Sequence, residues 1–145
     1  MKFTLIIDEN REEEIIVYAK KASSFTNELE SFVKSNMPEI LGYLGGSIVK
    51  LSPSEVYAFS VEEGKVFAYT ENKKFLLQKR LYQVEEAVGE RFVKINQSCM
   101  VNISRIERFE PTIGGSLMIV MKNGYRDYVS RRQMRTVKER IGLKR

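Results

Sequence analysis

The sequence contains no histidine and only one cysteine, Cys99, among its 145 residues. Without imidazole there is no His-based catalytic triad, no imidazole acid–base chemistry and no His-containing zinc site. A single cysteine cannot form a disulfide within the chain, and the apolar residues that follow Cys99 predict a small packed side chain. These absences make an enzyme an unexpected function. We expect no catalytic residue, no metal and no cofactor.

Long apolar runs are also missing. No segment approaches the ~18 apolar residues that a membrane-spanning helix needs, and the first eight residues lack the apolar stretch of a secretory signal. We therefore expect a cytoplasmic protein. With 145 residues, 43% of them apolar, the chain can form one domain with a proper core, with or without a small N-terminal addition.

Positive charge is concentrated in the last third of the chain. Residues 91–145 carry 13 basic and 4 acidic side chains, residues 43–90 carry 6 and 7, and residues 1–42 carry 5 and 8. A basic segment after two slightly acidic ones is typical of a protein that binds a polyanion. The alternative is a basic surface that only aids solubility, and the composition leaves both open.

The first 42 residues predict a small α+β extension. Residues 2–8 and 14–19 are rich in β-branched and aromatic side chains, so each predicts a strand, and the acidic residues between them predict a hairpin turn. Ser23 and Ser24 are candidate N-caps of a helix whose apolar face continues to about Asn36. We interpret this unit as a structural or partner-binding extension.

A glycine-rich segment separates this extension from the rest. Pro38 is expected to end the helix, and Gly42, Gly45 and Gly46 predict a flexible boundary, which places the main domain at residues 43–145. Short runs with close turn signals make that domain mostly β. The predicted strands are residues 47–51, 56–61, 65–70, 74–77, 92–95, 100–102, 116–122 and 125–130, and the predicted helices are 81–88 and 131–141.

The last hairpin and helix have the clearest local patterns. Asn123-Gly124 favours a two-residue primed turn between the last two strands. In the helix that follows, Met134, Val137 and Ile141 lie on one face, which is expected to pack inward. Its solvent-facing cations are Arg131, Arg132, Arg135 and Lys138.

A polar loop within residues 91–105 (RFVKINQSCMVNISR) is the main candidate site. Lys94, Asn96, Gln97 and Ser98 place a cation, two carboxamides and a hydroxyl between two apolar runs. Such groups can read base edges or bind phosphates. An ordinary polar turn between strands is the alternative.

Four separated segments match one known family in order. They are VEEGKVFAYT at 61–70, RLYQVEEAV at 80–88, RFVKINQSCMVNISRIERFEP at 91–111 and SLMIVMKNGYRDYVSRRQMRTVKERIG at 116–142. With these segments the sequence resembles the LytTR DNA-binding domain of bacterial transcription regulators over roughly residues 45–143. The resemblance implies stacked, twisted β-sheets with short helices, which contact DNA through loops. No receiver domain precedes the match, so we expect a free-standing member of the family.

The resemblance also implies three DNA-contacting loops. In this sequence they match the turn before Lys65, the polar loop at residues 94–98, and Arg131 after the last strand. Base edges are expected to be read by Arg131 and by the two carboxamides of the polar loop, which replace the basic or aromatic pair often found there in the family. The candidate DNA-binding residues are Lys65, Lys94, Asn96, Gln97, Ser98, Arg131, Arg132 and Lys138.

The expected partner is therefore double-stranded DNA, bound by two copies of the chain on repeated half-sites. Free-standing members are often governed by a small membrane protein, so such a regulator is a further possible partner. The alternative function is a protein-interaction module. In that case the functional residues would be 25–33 or the acidic turn at 8–14 instead of the three loops.

Overall fold

The computed structural model describes residues 2–12, 14–35 and 40–142, and the chain divides into two compact units, residues 1–37 and 38–145. In the first unit, α1 spans Ser24–Ser35. Ser23 caps it, because Ser23 Oγ accepts a hydrogen bond from the Thr26 amide at 3.3 Å and Thr26 Oγ1 accepts one from the Ser23 amide at 2.8 Å. The helix prediction is confirmed, while its expected end at Asn36 and Pro38 lies outside the described residues.

The two strands predicted before this helix are wrong. Residues 2–8 and 14–19 form no strand, although the turn between them is present, with the Arg11 amide donating to the Asp8 carbonyl at 3.4 Å. A lone two-stranded hairpin is marginally stable, and here the large apolar side chains of both segments are 46–94% exposed and add little burial to stabilise one. Of the predicted hairpin, only the turn at residues 8–11 is therefore present.

The second unit is a mostly β fold of two antiparallel sheets, as predicted. Its seven-stranded sheet has the order β2-β1-β5-β4-β3-β7-β6, and its three-stranded sheet has the order β10-β9-β8. None of the described helices is both long and apolar enough to span a membrane. The elements are β1 (Ile40–Leu44), β2 (Ser47–Leu51), β3 (Ala58–Glu62), β4 (Lys65–Tyr69), β5 (Lys74–Leu77), α2 (Leu81–Val88), β6 (Phe92–Asn96), β7 (Cys99–Asn102), β8 (Ile106–Pro111), β9 (Leu117–Met121), β10 (Arg126–Val129) and α3 (Arg131–Ile141).

The seven-stranded sheet separates two apolar cores. On one face Phe59 and Met100 pack in a cluster with Val84 of α2. Because alternate residues of a strand face opposite sides, their neighbours enter the second cluster, which also holds residues of β9, β10 and α3. Val137 of α3 is fully buried there, with Met134 and Ile141 beside it, which confirms the predicted inward face of the last helix.

Two strands were not predicted. Gly42 lies within β1, where a Cβ atom would come 2.8 Å from both Leu51 Cδ1 and Phe75 Cβ. This glycine is needed for close packing and does not mark a flexible boundary, so the boundary expected after it falls inside a strand. The other strand, β8, is a charged edge strand whose alternation is weak, and edges are often charged.

The β9–β10 hairpin is confirmed, but its turn differs from the two-residue primed form. The Gly124 amide donates to the Met121 carbonyl at 2.9 Å, and the Met121 amide donates to the Tyr125 carbonyl at 2.7 Å. Only Gly124 is left-handed, with φ of 91°, so the loop has three residues. Asn123 has another role, since its Nδ2 donates to the Thr70 carbonyl at 2.8 Å and ties the two sheets together.

Candidate nucleic-acid interface

The turn between β3 and β4 has the primed form. Glu63 and Gly64 both adopt left-handed backbone conformations, with φ of 52° and 76°. The turn pairs Glu62 with Lys65 across the strands, and Lys65 is exposed. The first predicted loop therefore projects from one end of the seven-stranded sheet.

The polar loop lies at the same end. β3 pairs antiparallel with β7, with Ser60 opposite Cys99, so the residues just before β7 lie beside the end of β3. A hydrogen bond from the Val61 amide to the Ser98 carbonyl, 2.7 Å long, joins the two segments. The sheet register thus makes the first and second loops neighbours.

The start of α3 borders the polar loop on its other side. The Ser130 amide donates to the Ile95 carbonyl at 2.8 Å, and Asn96 Nδ2 donates to the Tyr128 carbonyl at 2.9 Å. Ser130 is also the N-cap of α3, accepting from the Gln133 amide at 3.3 Å. The three predicted loops therefore lie in a row, with the polar loop in the middle.

The polar loop is shorter than the sequence suggested. Lys94 and Asn96 belong to β6 and are partly buried, which leaves Gln97 and Ser98 as the exposed loop residues. Asn96 Oδ1 accepts from the Ser98 amide at 2.8 Å, so both ends of this carboxamide already hold protein hydrogen bonds. Gln97 is the carboxamide that faces solvent.

The basic residues fall into two groups. Arg131 and Arg132 are exposed in the first turn of α3, beside the polar loop. Lys138 is partly buried and lies two helical turns further on, about 10 Å along the axis. Within the second unit, the geometry brings Lys65, Gln97 and Arg131 to one end of the seven-stranded sheet and places Lys138 away from that end.

A charged cluster that the sequence did not reveal braces the β3–β4 hairpin. Lys74 Nζ lies 2.8 Å from Glu62 Oε1 and 4.3 Å from the centre of the Phe67 ring, and the Tyr69 hydroxyl also donates to Glu62. Burial acts to raise the pKa of Glu62, but the hydrogen bonds from Lys74 and Tyr69 outweigh it and lower that pKa. Sequence reasoning missed this pair because β4 separates β3 from β5, and the register places Lys74 opposite Tyr69 and Tyr69 opposite Ala58, so Glu62 and Lys74 meet only through their long side chains.

A second cluster lies between the sheets. Cys99 Sγ is 3.4 Å from the Tyr125 hydroxyl, which donates to Asp127 Oδ2 at 3.4 Å. Burial raises the pKa of Cys99 and of Tyr125, so both keep their protons at neutral pH. Cys99 is thus a packed residue. Among the described residues, no three acidic or cysteine side chains are placed to hold a metal ion.

The fold is therefore a mostly β domain of two antiparallel sheets, with three polar loops side by side at one end of the larger sheet. Residues 46–142 match the family model described as the LytTr DNA-binding domain, and the chain belongs to this family. A solved LytTr DNA-binding domain from Bacillus cereus superimposes with a TM-score of 0.69 over 74% of this chain and 99% of that chain, at 18% identity. At this low sequence identity, the structural similarity shows a shared fold only.

Two staphylococcal relatives match over almost the whole chain. Proteins named uncharacterized HTH-type transcriptional regulators from Staphylococcus aureus strains NCTC 8325 and MW2 are 32% and 31% identical over 148 residues, covering 99% of this chain and of each relative. The N-terminal unit is therefore included in the match. In the described part of this chain, five strands separate α1 from α2 and five more separate α2 from α3, so no two of these helices form a helix-turn-helix.

Proposed function

We propose that this protein is a sequence-specific DNA-binding transcription regulator that reads duplex DNA through the three loops at one sheet end. The observation that carries the proposal is the pair of backbone hydrogen bonds from Val61 to Ser98 and from Ser130 to Ile95. They hold loops from distant parts of the sequence side by side, as a single groove of DNA would require. Family membership supports the same function.

Base reading is assigned to Arg131 and Gln97. An arginine guanidinium can donate two hydrogen bonds to guanine, and a carboxamide can make two bonds with adenine in the major groove. Both side chains are exposed at the shared end. Asn96 was expected to share this role, but its carboxamide is already bonded to Tyr128 and Ser98, so we assign it the positioning of the loop.

Phosphate binding is assigned to the other cations and to the start of α3. Arg132 lies in the first turn of that helix, where the free amides and the helix dipole favour an anion. Lys65 follows the first loop and Lys94 lies in β6, which leads into the polar loop, while Ser98 adds a hydroxyl within that loop. Lys138 supports binding from the side of the domain.

The protein is proposed to act in the cytoplasm as a homodimer on repeated half-sites, because one domain of this size covers too little DNA for high selectivity. A small membrane protein is proposed as a regulator that would bind the N-terminal unit. The 46% exposed Phe25 of α1 offers it an apolar contact.

The decisive experiment is selection of bound sequences from random duplex DNA, repeated with Gln97→Ala and Arg131→Ala. We expect the parent protein to enrich one motif and each variant to lose preference at a different position of that motif. Asn72→Ala is the matched control, because Asn72 is an exposed carboxamide in the β4–β5 turn at the opposite end of the sheet. Enrichment of no motif, or an unchanged motif in both variants, would reject the proposal.

A further inference from the structure

The N-terminal unit exposes far more apolar surface than an isolated chain would be expected to keep. In the segments 2–8 and 14–19, Phe3, Ile7 and Tyr18 are 87%, 87% and 94% exposed. Five more large apolar side chains of these segments are 46–80% exposed. Together they amount to on the order of 1,000 Å² per chain, comparable to the ~800 Å² that each partner contributes to a standard protein interface. This surface is large enough for a stable protein contact.

The charges of residues 12–21 (EEEIIVYAKK) are distributed asymmetrically along the segment. Acidic residues precede the apolar run and Lys20 and Lys21 follow it. If two copies of this segment pair antiparallel, the acidic end of each meets the basic end of the other. Parallel pairing would oppose like charges, which is unfavourable across strands. The segment is therefore complementary to itself in one orientation only.

We propose that residues 14–20 form an antiparallel strand pair with the same residues of a second copy, centred on Val17. In this register Glu14 of each chain lies opposite Lys20 of the other, and Ile16 lies opposite Tyr18. A twofold interface of this kind is self-complementary, because each residue pair occurs twice. The contact goes beyond the DNA-binding function and does not depend on it.

The pairing also accounts for the missing hairpin of the single chain. Each chain already has the turn at residues 8–11 that can bring residues 2–7 beside residues 14–20. Two copies joined at Val17 make a four-stranded sheet, whereas one copy offers only two strands. Two strands are marginal, and three or more with an apolar face are stable. The second copy supplies the missing partner.

Cross-linking tests the centre of the contact in the full-length protein without DNA. Val17→Cys places two cysteines directly opposite each other at the twofold axis, where strand spacing of about 5 Å suits a disulfide. The native Cys99 is buried and does not compete. Glu14→Cys is the control, because its two copies would lie about 20 Å apart at six residues' separation. We expect mild oxidation to give a covalent dimer with Val17→Cys only. No dimer, or equal dimer with Glu14→Cys, overturns the proposal.

Charge reversal tests the orientation. Glu14→Lys alone and Lys20→Glu alone each oppose like charges twice in a homodimer. We expect either change to raise the dimer dissociation constant by about tenfold, which corresponds to about 1.4 kcal/mol. An equimolar mixture should recover the parent value, because the two variants complement each other. Sedimentation of the single variants and the mixture gives the answer, and a mixture that stays dissociated overturns the proposal. Since both exposed residues lie outside the three loops, failure here leaves the DNA-binding tests unaffected.

Discussion

The side-chain amide of Asn96 donates to the backbone carbonyl of Tyr128 at 2.9 Å, joining residues 32 apart in the sequence. The bond crosses from the last residue of β6 to β10 and lies next to the Ser130–Ile95 backbone contact. These contacts fix the position of Ser130 and therefore of Arg131, the next residue in the chain. Asn96, which was expected to contact bases, therefore positions the polar loop that carries Gln97.

Replacing Asn96 separates these two roles. Asn96→Ala removes hydrogen bonds to Tyr128 and Ser98, so we expect it to lower the free energy of unfolding by about 1–3 kcal/mol. Gln97→Ala removes an exposed side chain and should change stability by less than about 0.5 kcal/mol. Urea unfolding of both variants measures the difference. Equal stability of the two would contradict the positioning role.

Arg131→Ala should cost about 1–3 kcal/mol of specific DNA binding, the size of one lost bidentate contact, with the fold unchanged. Arg131 is exposed, so no core packing is lost. A mobility shift on the selected motif and on scrambled DNA measures the loss of preference. Lys73→Ala, an exposed cation at the far end of β4, serves as control and should bind like the parent. Unchanged binding by Arg131→Ala would remove it from the interface.

Lys138→Ala should weaken binding to every sequence alike and by less than Arg131→Ala. A phosphate contact adds affinity without sequence information, and its loss should reduce the slope of log K against log salt by about 1. Titrations at several salt concentrations check this. If the slope stays the same, Lys138 touches no phosphate, in line with its place two turns from the loops.

Stability should decline in alkaline solution because of Cys99. Burial raises the pKa of this thiol in the folded state, while the unfolded thiol loses its proton from about pH 8.5. The free energy of unfolding is therefore unaffected by this thiol below about pH 8.5. Above that pH it falls as pH rises, by up to about 1.4 kcal/mol per pH unit. Cys99→Ala should flatten the decline between about pH 8.5 and 10, where Tyr125 has yet to titrate when unfolded. Urea unfolding across this range tests it, and an equally steep decline in the variant would contradict it.

Gly42→Ala should destabilise the main domain by about 1–3 kcal/mol, because the new methyl group would overlap Leu51 and Phe75 at 2.8 Å. Gly46→Ala is the control, since no atom lies within 4 Å of a Cβ there and its φ is not left-handed. Thermal unfolding compares the two. A Gly42 variant as stable as the Gly46 variant would mean that β1 can shift away from Phe75.

Most of the local structure followed from side-chain patterns that act over a few residues. Met134, Val137 and Ile141 predicted the buried face of α3, and the runs at 47–51 and 74–77 predicted their strands. Where glycine was involved the patterns were ambiguous. Gly42 predicts a flexible boundary from sequence yet lies within β1, because sequence does not distinguish a glycine needed for conformational freedom from one needed for close packing.

The sequence alone determined the β-rich pattern, the basic last third and the chemistry of the loop side chains, because these depend on residue type and spacing. Only the tertiary structure decided which side chains share a surface. The pairing of β3 with β7 and the Ser130–Ile95 bond bring loops from residues 63–64, 97–98 and 131 together, and separate Gln97, which faces solvent, from Asn96, which is bonded. Such long-range contacts arise from sheet register and packing, which no short stretch of the chain encodes by itself.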